Sequence, residues 1–491
     1  MSPTAPVIGL PQTRDRGLHR DKPREHCGVF GIVTAAQDAV AMTYLGLFAL
    51  QHRGQESAGI AVPDGSSIRV HKEMGLVSQV FDLDALAALG EGQVALGHTR
   101  YSTTGSSSRE NAQPMTLTHP KLGPAALAHN GNLINAGRLR QELAGSDVDR
   151  HSSSDTQLIC ALIASTDGDN WPQVLRSALP RLQGAYSLGL VTADLAIGVR
   201  DPYGFRPLCL GVLGRAPTQG YVFASESCAL EAVGAEHLRD VRPGELVLLG
   251  RGEPQGHLFQ VSLRQAMCLF ELIYFARPDS YLDGCQLYEA RVRMGQCLAK
   301  EAPMRADMVM ALPDSGTPAA IGFAEASGIP FREGLVKSRY VSRTFIQPQQ
   351  PSREADVGLK LNPLRETIRG KRLVVVDDSI VRGTTSRKIV GMLRRAGAAE
   401  IHFRVASPAV RHPCFMGIDI GSSRELVACG RTSEEIRSFL NVDSLHYLSM
   451  PGLIRAVGRG TINEFCTACF DGSYPVPVDG GAELGKAAVE V

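Results

Sequence analysis

The sequence contains 491 residues, of which 44% are hydrophobic, and it carries a formal net charge of +1 at pH 7. A chain of this length exceeds what one hydrophobic core usually organises, so two or more domains are expected. The near-zero charge gives no electrostatic reason to expect binding to nucleic acid or to a membrane surface, and no apolar run approaches the length of a membrane-spanning helix.

Residues 1–26 are polar, rich in arginine and proline, and without the apolar segment of a secretory signal. We therefore expect a disordered leader over this range and a cytoplasmic protein. The 11 cysteines are scattered along the chain. In a long chain without a signal, this favours reduced thiols or metal ligands over a disulfide framework.

From residue 27 to about residue 264, short apolar runs broken by glycine predict strands, and helical patterns are interleaved with them. This mixture predicts an α+β sandwich over residues 27–264. The clearest predicted strands are 28–33, 94–97, 125–128 and 187–190, and the clearest predicted helices are 41–51 and 156–164.

The same region contains polar clusters in glycine-rich surroundings. Each cluster alone is a weak signal, because a lone cysteine such as Cys27 is usually a small buried hydrophobe and a lone arginine is usually a surface charge. In chain order the clusters read EHCGVF at 25–30, QHRGQES at 51–57, GHTRYST at 97–103, AHNGN at 128–132 and SDT at 154–156.

After about residue 265 the pattern changes to strand, loop and helix in alternation. It predicts an α/β domain with a parallel sheet and crossover helices over 265–475. The predicted strands are 307–312, 373–376 and 401–406, and Gly397 is placed to end the helix between the last two. The low-complexity segment 476–491 is predicted to be a disordered tail.

The most informative segment of the chain is RLVVVDDSIVRGTTS at 372–386. An apolar strand ends in Asp377 and Asp378, and a glycine- and hydroxyl-rich loop follows before a helix. The loop amides can bind phosphate at the helix N-terminus, and the carboxylates suit ribose hydroxyls or Mg²⁺. The alternative is a buried strand with a polar loop. Neither a Walker A loop nor a G-x-G-x-x-G loop is present.

Two further segments leave alternatives open. Residues 337–355 are basic and then rich in glutamine and proline, which indicates either a long functional loop or a plain surface connector. Cys466 and Cys469 form a C-x-x-C pair, which by itself fits half of a zinc site, a redox pair or part of an iron–sulfur ligand set.

The acidic segment resembles the phosphoribosyl pyrophosphate (PRPP) motif of type I phosphoribosyltransferases, and the ordered N-terminal clusters resemble class II (Ntn-type) glutamine amidotransferases. From Cys27 to about Tyr474, including the ARPDS segment at 276–280, the chain resembles the glutamine PRPP amidotransferase family. The resemblance implies that glutamine, PRPP and water give 5-phosphoribosylamine, glutamate and pyrophosphate, with ammonia passing internally, in the first committed step of purine synthesis.

The resemblance also implies the roles of residues in the glutaminase half. Cys27 would be the nucleophile and the mature N-terminus, so residues 1–26 would be a propeptide and the freed α-amino group would take the thiol proton. Asn130 and the backbone N–H of Gly131 would stabilise the oxyanion. Arg100 would bind the α-carboxylate of glutamine and Asp155 its α-ammonium group. Without that role, Arg100 would form an internal ion pair and Asp155 would cap a helix.

In the transferase half, the resemblance places Ser315, Asp377 and Asp378 around Mg²⁺ and PRPP. A basic segment would close over the pyrophosphate and exclude water. That segment would supply Lys337, Arg339 and Arg343. The 5′-phosphate would lie in the loop formed by Ser379, Ile380, Val381, Arg382, Gly383, Thr384 and Thr385.

One branch of the family carries both a propeptide and a [4Fe–4S] cluster, and the resemblance assigns the cluster ligands to Cys268, Cys414, Cys466 and Cys469. The cluster would be structural, without a redox step. The family also implies a homotetramer inhibited by purine nucleotides. The remaining cysteines are expected to be ordinary core thiols: Cys160, Cys209, Cys228, Cys285, Cys297 and Cys429.

The sequence leaves two other classes of function as alternatives. A different class II amidotransferase, such as an asparagine or sugar-amide synthase, would need another synthase domain, and no S-G-G-x-D-S nucleotide loop is present. A non-catalytic PRPP-sensing regulator would need a DNA-binding module or a basic patch, and would have no organised glutaminase half.

Overall fold

The computed structural model describes residues 27–35, 38–101, 108–143, 154–216, 218–338, 361–420 and 422–478. The predicted leader lies outside the described residues. So do Arg339 and Arg343, most of the predicted loop at 337–355, and all but the first residues of the predicted tail.

The first part of the chain forms two antiparallel sheets. The first sheet contains β1 Gly28–Val33, β2 Ser57–Asp64, β3 Ser67–Met74, β4 Val94–Arg100, β9 Cys209–Leu213, β10 Gly220–Ala224 and β11 Ala235–Asp240. The second contains β5 Met115–His119, β6 Gly123–Leu133, β7 Gly184–Val191, β8 Ala196–Arg200, β12 Glu245–Leu249 and β13 Gln255–Leu258. Their strand orders are β11-β9-β10-β1-β4-β2-β3 and β13-β12-β8-β7-β6-β5.

Side-chain alternation along the strands explains why these sheets stack. In β1, Val29 packs between the two sheets with Leu96 and Ala126, whereas Phe30 and Ile32 face the opposite side. Helices cover both outer faces, so the layers run helix, sheet, sheet, helix. The helices of this part are α1 Ala39–Ala49, α2 Val77–Val80, α3 Leu83–Leu89, α4 Ala136–Glu142, α5 Asp155–Ser165, α6 Trp171–Ala178 and α7 Ser227–Ala232.

The second part is built on a parallel sheet of β17 Met308–Ala311, β20 Arg372–Asp377, β21 Glu400–Val405 and β22 Ser444–Tyr447, in that order. Residues 373–376 of strand β20 are all apolar because both faces of the sheet are covered there. Val374 and Val376 pack on one side, and Leu373 and Val375 pack on the other. The helices are α8 Leu287–Glu301, α9 Thr317–Ser327, α10 Arg365–Ile368, α11 Thr384–Arg395, α12 Ser433–Leu440, α13 Met450–Val457 and α14 Ala468–Asp471.

Short strands and a π-helical turn complete this part. Met267–Cys268 (β14) pairs in parallel with Phe465–Cys466 (β23), so the beginning and the end of the second part lie side by side. The other pairs are Tyr281–Leu282 (β15) with Cys285–Gln286 (β16), and Leu335–Lys337 (β18) with Leu361–Pro363 (β19). The π-helical turn is Glu271–Phe275.

The two parts share a hydrophobic core. Ala185 and Phe205 from the sandwich pack in the same cluster as Cys268 and Phe415 from the second part. Val476, which the sequence placed in the disordered tail, is 6% exposed and belongs to this cluster, so ordered packing continues past Pro475. In the described ranges, no helix combines the length and apolar character needed to cross a membrane.

Candidate active site

The predicted nucleophile Cys27 immediately precedes β1. Its Sγ donates to the carbonyl oxygen of Tyr101 at 3.6 Å. Burial raises the pKa of the thiol to about 12, Arg100 opposes this increase, and Asp155 adds to it. The thiol is therefore protonated at neutral pH, and the two predicted glutamine-binding residues lie close enough to act on its charge.

Arg100 is the last residue of β4 and is 3% exposed. Strand β4 pairs with both β1 and β2, so that Gly28 lies opposite Thr99 and Ser57 lies opposite Arg100. This pairing brings the end of β4 beside Cys27. A guanidinium at this position has the shape and charge to bind a carboxylate at two points.

Asp155 begins α5 and points towards β6. Its Oδ2 accepts from the backbone N–H of Leu133 at 3.2 Å, and its Oδ1 lies 3.5 Å from Nδ1 of His129. Burial opposes ionisation of Asp155, but His129 above all, together with the backbone hydrogen bonds, outweighs this effect. The pKa of Asp155 therefore lies below its usual value. The group is a carboxylate at neutral pH, as binding an ammonium group requires.

The predicted oxyanion residues lie on β6, in the sheet that faces β1 and β4. Asn130 is 0% exposed, and neither polar atom of its carboxamide has a hydrogen-bond partner in the part of the chain that is described. Gly131 has φ +151°, and a Cβ there would lie 1.9 Å from the carbonyl oxygen of Ala185. An unpaired buried amide is costly and rare, so this one indicates a site for a ligand atom.

Arg53 is a site residue to which the sequence assigned no role. Its Nε donates to the carbonyl oxygen of Cys27 at 3.3 Å, and its two terminal nitrogens bind Glu226 and Glu271. Arg53 belongs to the QHRGQES cluster at 51–57, but the sequence does not indicate which carboxylates pair with it. Glu226 and Glu271 come from distant parts of the chain and carry no local signal.

The acidic pair lies at the carboxyl end of β20, where ligands of parallel sheets bind. Asp377 and Asp378 are each 2% exposed, and Ser379 donates from Oγ to Oδ1 of Asp378 at 2.6 Å. The loop that carries Ser315 packs directly on them: a Cβ on Gly316 would lie 2.7 Å from the carbonyl oxygen of Val376. These oxygen donors fit a hard cation such as Mg²⁺.

The loop after the acidic pair leads into α11. Gly383 has φ +75°, which favours glycine, and it has no side chain with which to cap the helix that begins at Thr384. Ile380 and Val381 are buried, so only their backbone can face a ligand. The remaining members of this loop are Ser379, Arg382 and Thr385; Arg382 already forms an ion pair with Glu425 at 2.6 Å.

Of the three predicted pyrophosphate-binding cations, Lys337 is described. It ends β18 and contacts the carboxylate of Asp314, which precedes Ser315 in the loop beside the acidic pair. The structure therefore brings Lys337 to the edge of the predicted PRPP site.

The four predicted cluster ligands are buried in one core. Cys268 lies opposite Cys466 in the β14–β23 ladder, and the pKa of Cys469 is raised by burial and by the charges of Cys268, Cys466 and Cys414. Among the described residues, no three His, Cys, Asp or Glu side chains converge as they would on a single metal ion. Thiolate sulfur is the donor type that holds iron–sulfur clusters, so the chemistry of this donor set suits such a group.

The other cysteines match their prediction with one clear exception. Cys160, Cys209, Cys228 and Cys285 are buried and Cys297 is partly buried. The prediction was wrong for Cys429, which is exposed. It lies in a turn after Val427 and Ala428, and these two apolar neighbours, rather than the thiol, pack into the core.

Comparison with known proteins first defines the class of protein to which the chain is similar. A family profile described as a glutamine amidotransferase domain matches residues 98–232, which include the predicted oxyanion and glutamine-binding residues. The first half thus has the fold of an amidotransferase, and this confirms the predicted sandwich.

Relatives extend over the whole chain. The amidophosphoribosyltransferase of Synechococcus elongatus is 50% identical and covers 100% of this chain and 99% of its own. That of Bacillus subtilis is 45% identical over 92% of this chain and 95% of its own. The solved B. subtilis glutamine PRPP amidotransferase, complexed with ADP and GMP, has a TM-score of 0.86 at 44% identity, over 93% of this chain and 99% of that one.

The chain belongs to the amidophosphoribosyltransferase family. It is therefore a transferase enzyme that joins an amidotransferase domain to a phosphoribosyltransferase domain, and the predicted fold class and family are both confirmed.

Proposed function

We propose that the enzyme converts glutamine, PRPP and water to 5-phosphoribosylamine, glutamate and pyrophosphate at two half-sites, in the first committed step of purine synthesis. The observation that carries the glutaminase half is the fully buried carboxamide of Asn130, which has no partner among the described residues. Such a donor becomes satisfied when an oxyanion forms beside it.

At the glutaminase half-site, the Cys27 thiol attacks the side-chain carboxamide of glutamine. Arg100 holds the α-carboxylate, Asp155 holds the α-ammonium group, and Asn130 with the N–H of Gly131 stabilises the oxyanion. While residues 1–26 remain attached, the nitrogen of Cys27 is a peptide nitrogen and cannot act as a base. Removal of the leader frees an amine of pKa roughly 7.7–8.0, which takes the thiol proton.

At the transferase half-site, Ser315, Asp377 and Asp378 would hold Mg²⁺ and the ribose hydroxyls. The Mg²⁺, when bound, neutralises charge on the pyrophosphate leaving group. The backbone and hydroxyls of residues 379–385 bind the 5′-phosphate at the start of α11. Lys337, Arg339 and Arg343 bind the pyrophosphate, and closure of their segment keeps water from the activated sugar carbon.

The four buried cysteines Cys268, Cys414, Cys466 and Cys469 would hold a [4Fe–4S] cluster. Such a group would supply a structural cross-link between β14, the segment that carries Cys414, and the end of the second part, and it would take no part in the reaction. The proximity of these thiols in one core supports this role.

The organisation follows from the same reasoning. Residues 1–26 are a propeptide, 27–264 the glutaminase domain and 265–475 the phosphoribosyltransferase domain, with a short tail after them. The shared core supports internal passage of ammonia between the domains. The enzyme acts as a cytoplasmic homotetramer inhibited by purine nucleotides; the ADP and GMP in the B. subtilis structure support the last point.

The test of the transferase assignment is a variant that carries both Asp377→Asn and Asp378→Asn. It should lose synthesis of phosphoribosylamine with either glutamine or ammonia as donor, because both routes need PRPP bound at the acidic pair. Asp307→Asn is the matched control, since Asp307 lies at the opposite end of the same sheet, where it pairs with Arg372 at 3.0 Å. Normal PRPP turnover by the double variant would refute the assignment.

A further inference from the structure

Four charged side chains are buried together where the sandwich meets the second part of the chain. Arg53, Arg206, Glu226 and Glu271 are each at most 1% exposed. Two positive and two negative charges balance within the group. Buried charges are expensive unless they are paired, so the arrangement of these contacts is informative.

Glu271 connects the two arginines. Its Oε1 accepts from Nη2 of Arg53 at 2.6 Å and from Nη1 of Arg206 at 3.2 Å. Its Oε2 is buried with no hydrogen-bond partner in the part of the chain that is described. A buried carboxylate oxygen without a partner is unusual in native structures, so the position of Glu271 calls for an explanation beyond packing.

The two arginines contact different parts of the chain. Arg53 donates from Nε to the carbonyl oxygen of Cys27 at 3.3 Å, so it fixes the backbone of the nucleophile. Arg206 also donates to the carbonyl oxygen of Met416, in the segment that carries Cys414. Glu271 itself opens the π-helical turn that follows Cys268. Turns of this kind frequently occur at functional sites.

We propose that Glu271 is a positioning residue for the glutaminase reaction. It fixes the guanidinium of Arg53, which holds the carbonyl oxygen of Cys27. Through Arg206 it also connects this guanidinium to the transferase part. This inference rests on the proposed role of Cys27 as nucleophile. Glu271 touches neither substrate. Its contribution is to keep the attacking sulfur aligned with Asn130 and Gly131, because a small displacement of reacting groups lowers the rate strongly.

The test uses Glu271→Gln, which keeps the shape of the side chain and removes its charge. We expect kcat for glutamine-dependent synthesis to fall about 10- to 100-fold, with KM for glutamine changed less than about twofold, because alignment rather than binding is lost. Ammonia-dependent synthesis should remain within about twofold of wild type, which shows that the transferase half is intact.

Asp283→Asn is the matched control. Asp283 forms another ion pair across the same boundary, with Arg200 at 2.6 Å, and Arg200 in turn donates to the backbone carbonyl of Arg206 rather than to its side chain. This variant should keep both activities. A double-mutant cycle of Glu271→Gln with Arg53→Gln should be non-additive, because Glu271 acts through Arg53. If Glu271→Gln does not fold, Arg206→Lys should produce the same selective loss.

The inference is overturned if Glu271→Gln keeps glutamine-dependent kcat, if it loses both activities equally, if Asp283→Asn shows the same selective loss, or if the cycle is additive. These outcomes differ from failure of the proposed function itself. In that case the wild-type enzyme would show no glutamine-dependent synthesis.

Discussion

Asn132 donates a hydrogen bond from Nδ2 to the carbonyl oxygen of Phe415 at 2.9 Å. The bond joins β6, which carries the proposed oxyanion residues, to the segment that contains Cys414. Gly417 packs there as well: a Cβ on it would lie 3.2 Å from the carbonyl carbon of Gly131. The geometry of the glutaminase half therefore depends on a cysteine-bearing segment of the other half.

Replacement of Asn130 by alanine should lower kcat for glutamine hydrolysis about 100- to 1000-fold, because the oxyanion loses a donor. KM for glutamine should change little, since the carboxamide binds the transition state rather than the substrate. Ammonia-dependent synthesis should be unaffected. Steady-state kinetics with each donor measure these quantities.

Asn135→Ala is the control for that prediction. In the wild-type protein, Nδ2 of Asn135 donates to the carbonyl oxygen of Arg181 at 2.9 Å, and its Oδ1 accepts from the backbone N–H of Gln183 at 3.0 Å. The carboxamide of Asn135 is therefore structural. This variant should unfold at a lower temperature and still hydrolyse glutamine normally. An Asn130→Ala enzyme with wild-type kcat would remove the oxyanion assignment.

The pH dependence of Cys27 reactivity should differ between protein that retains residues 1–26 and protein that has lost them. With residues 1–26 attached, the pKa of the thiol is raised to about 12, so the thiolate fraction grows with pH throughout the accessible range. Alkylation by iodoacetamide should therefore accelerate about tenfold per pH unit between roughly pH 7 and 10. After removal of the leader, the rate should level off near the pKa of the amine, roughly 8.

The measurement follows the mass of the peptide that contains Cys27, since the exposed Cys429 also reacts. Cys27→Ala supplies the background. A rate that levels off near pH 8 with the leader still attached would contradict the account, because no free amine is present there.

Protein purified without oxygen should contain about four iron and four sulfide per chain. Cys466→Ser should lose most of this iron, because it removes one ligand of the proposed cluster. Cys429→Ser should keep it, since Cys429 is exposed and lies outside the core of the four thiols. Zinc in place of iron, or equal iron loss in both variants, would count against the cluster.

Periodicity in the sequence predicted the fold where elements have one clear pattern. The strand 28–33 is found with those bounds, and the acidic pair does follow an apolar strand whose residues alternate between two covered faces. The helix predicted at 41–51 is Ala39–Ala49, because Asp38 accepts from the N–H of Val40 and begins it earlier.

What periodicity could not provide is contact between distant segments. The bonds of Glu271 to Arg53 and Arg206, and of Asn132 to Phe415, depend on how two domains dock. Exposure of single residues is equally non-local: Cys429 lies in an apolar stretch and is nevertheless exposed, whereas Val476 begins a low-complexity tail and is buried. Local composition predicts neither.

The central claim is that one chain divides the reaction between Cys27 and the acidic pair. The most direct measurement is the rate of phosphoribosylamine formation by Cys27→Ala with glutamine and, separately, with ammonium as the nitrogen donor. The account predicts that the glutamine-dependent rate is abolished and that the ammonia-dependent rate stays within about twofold of wild type. Loss of both rates, or retention of the glutamine-dependent rate, would contradict it.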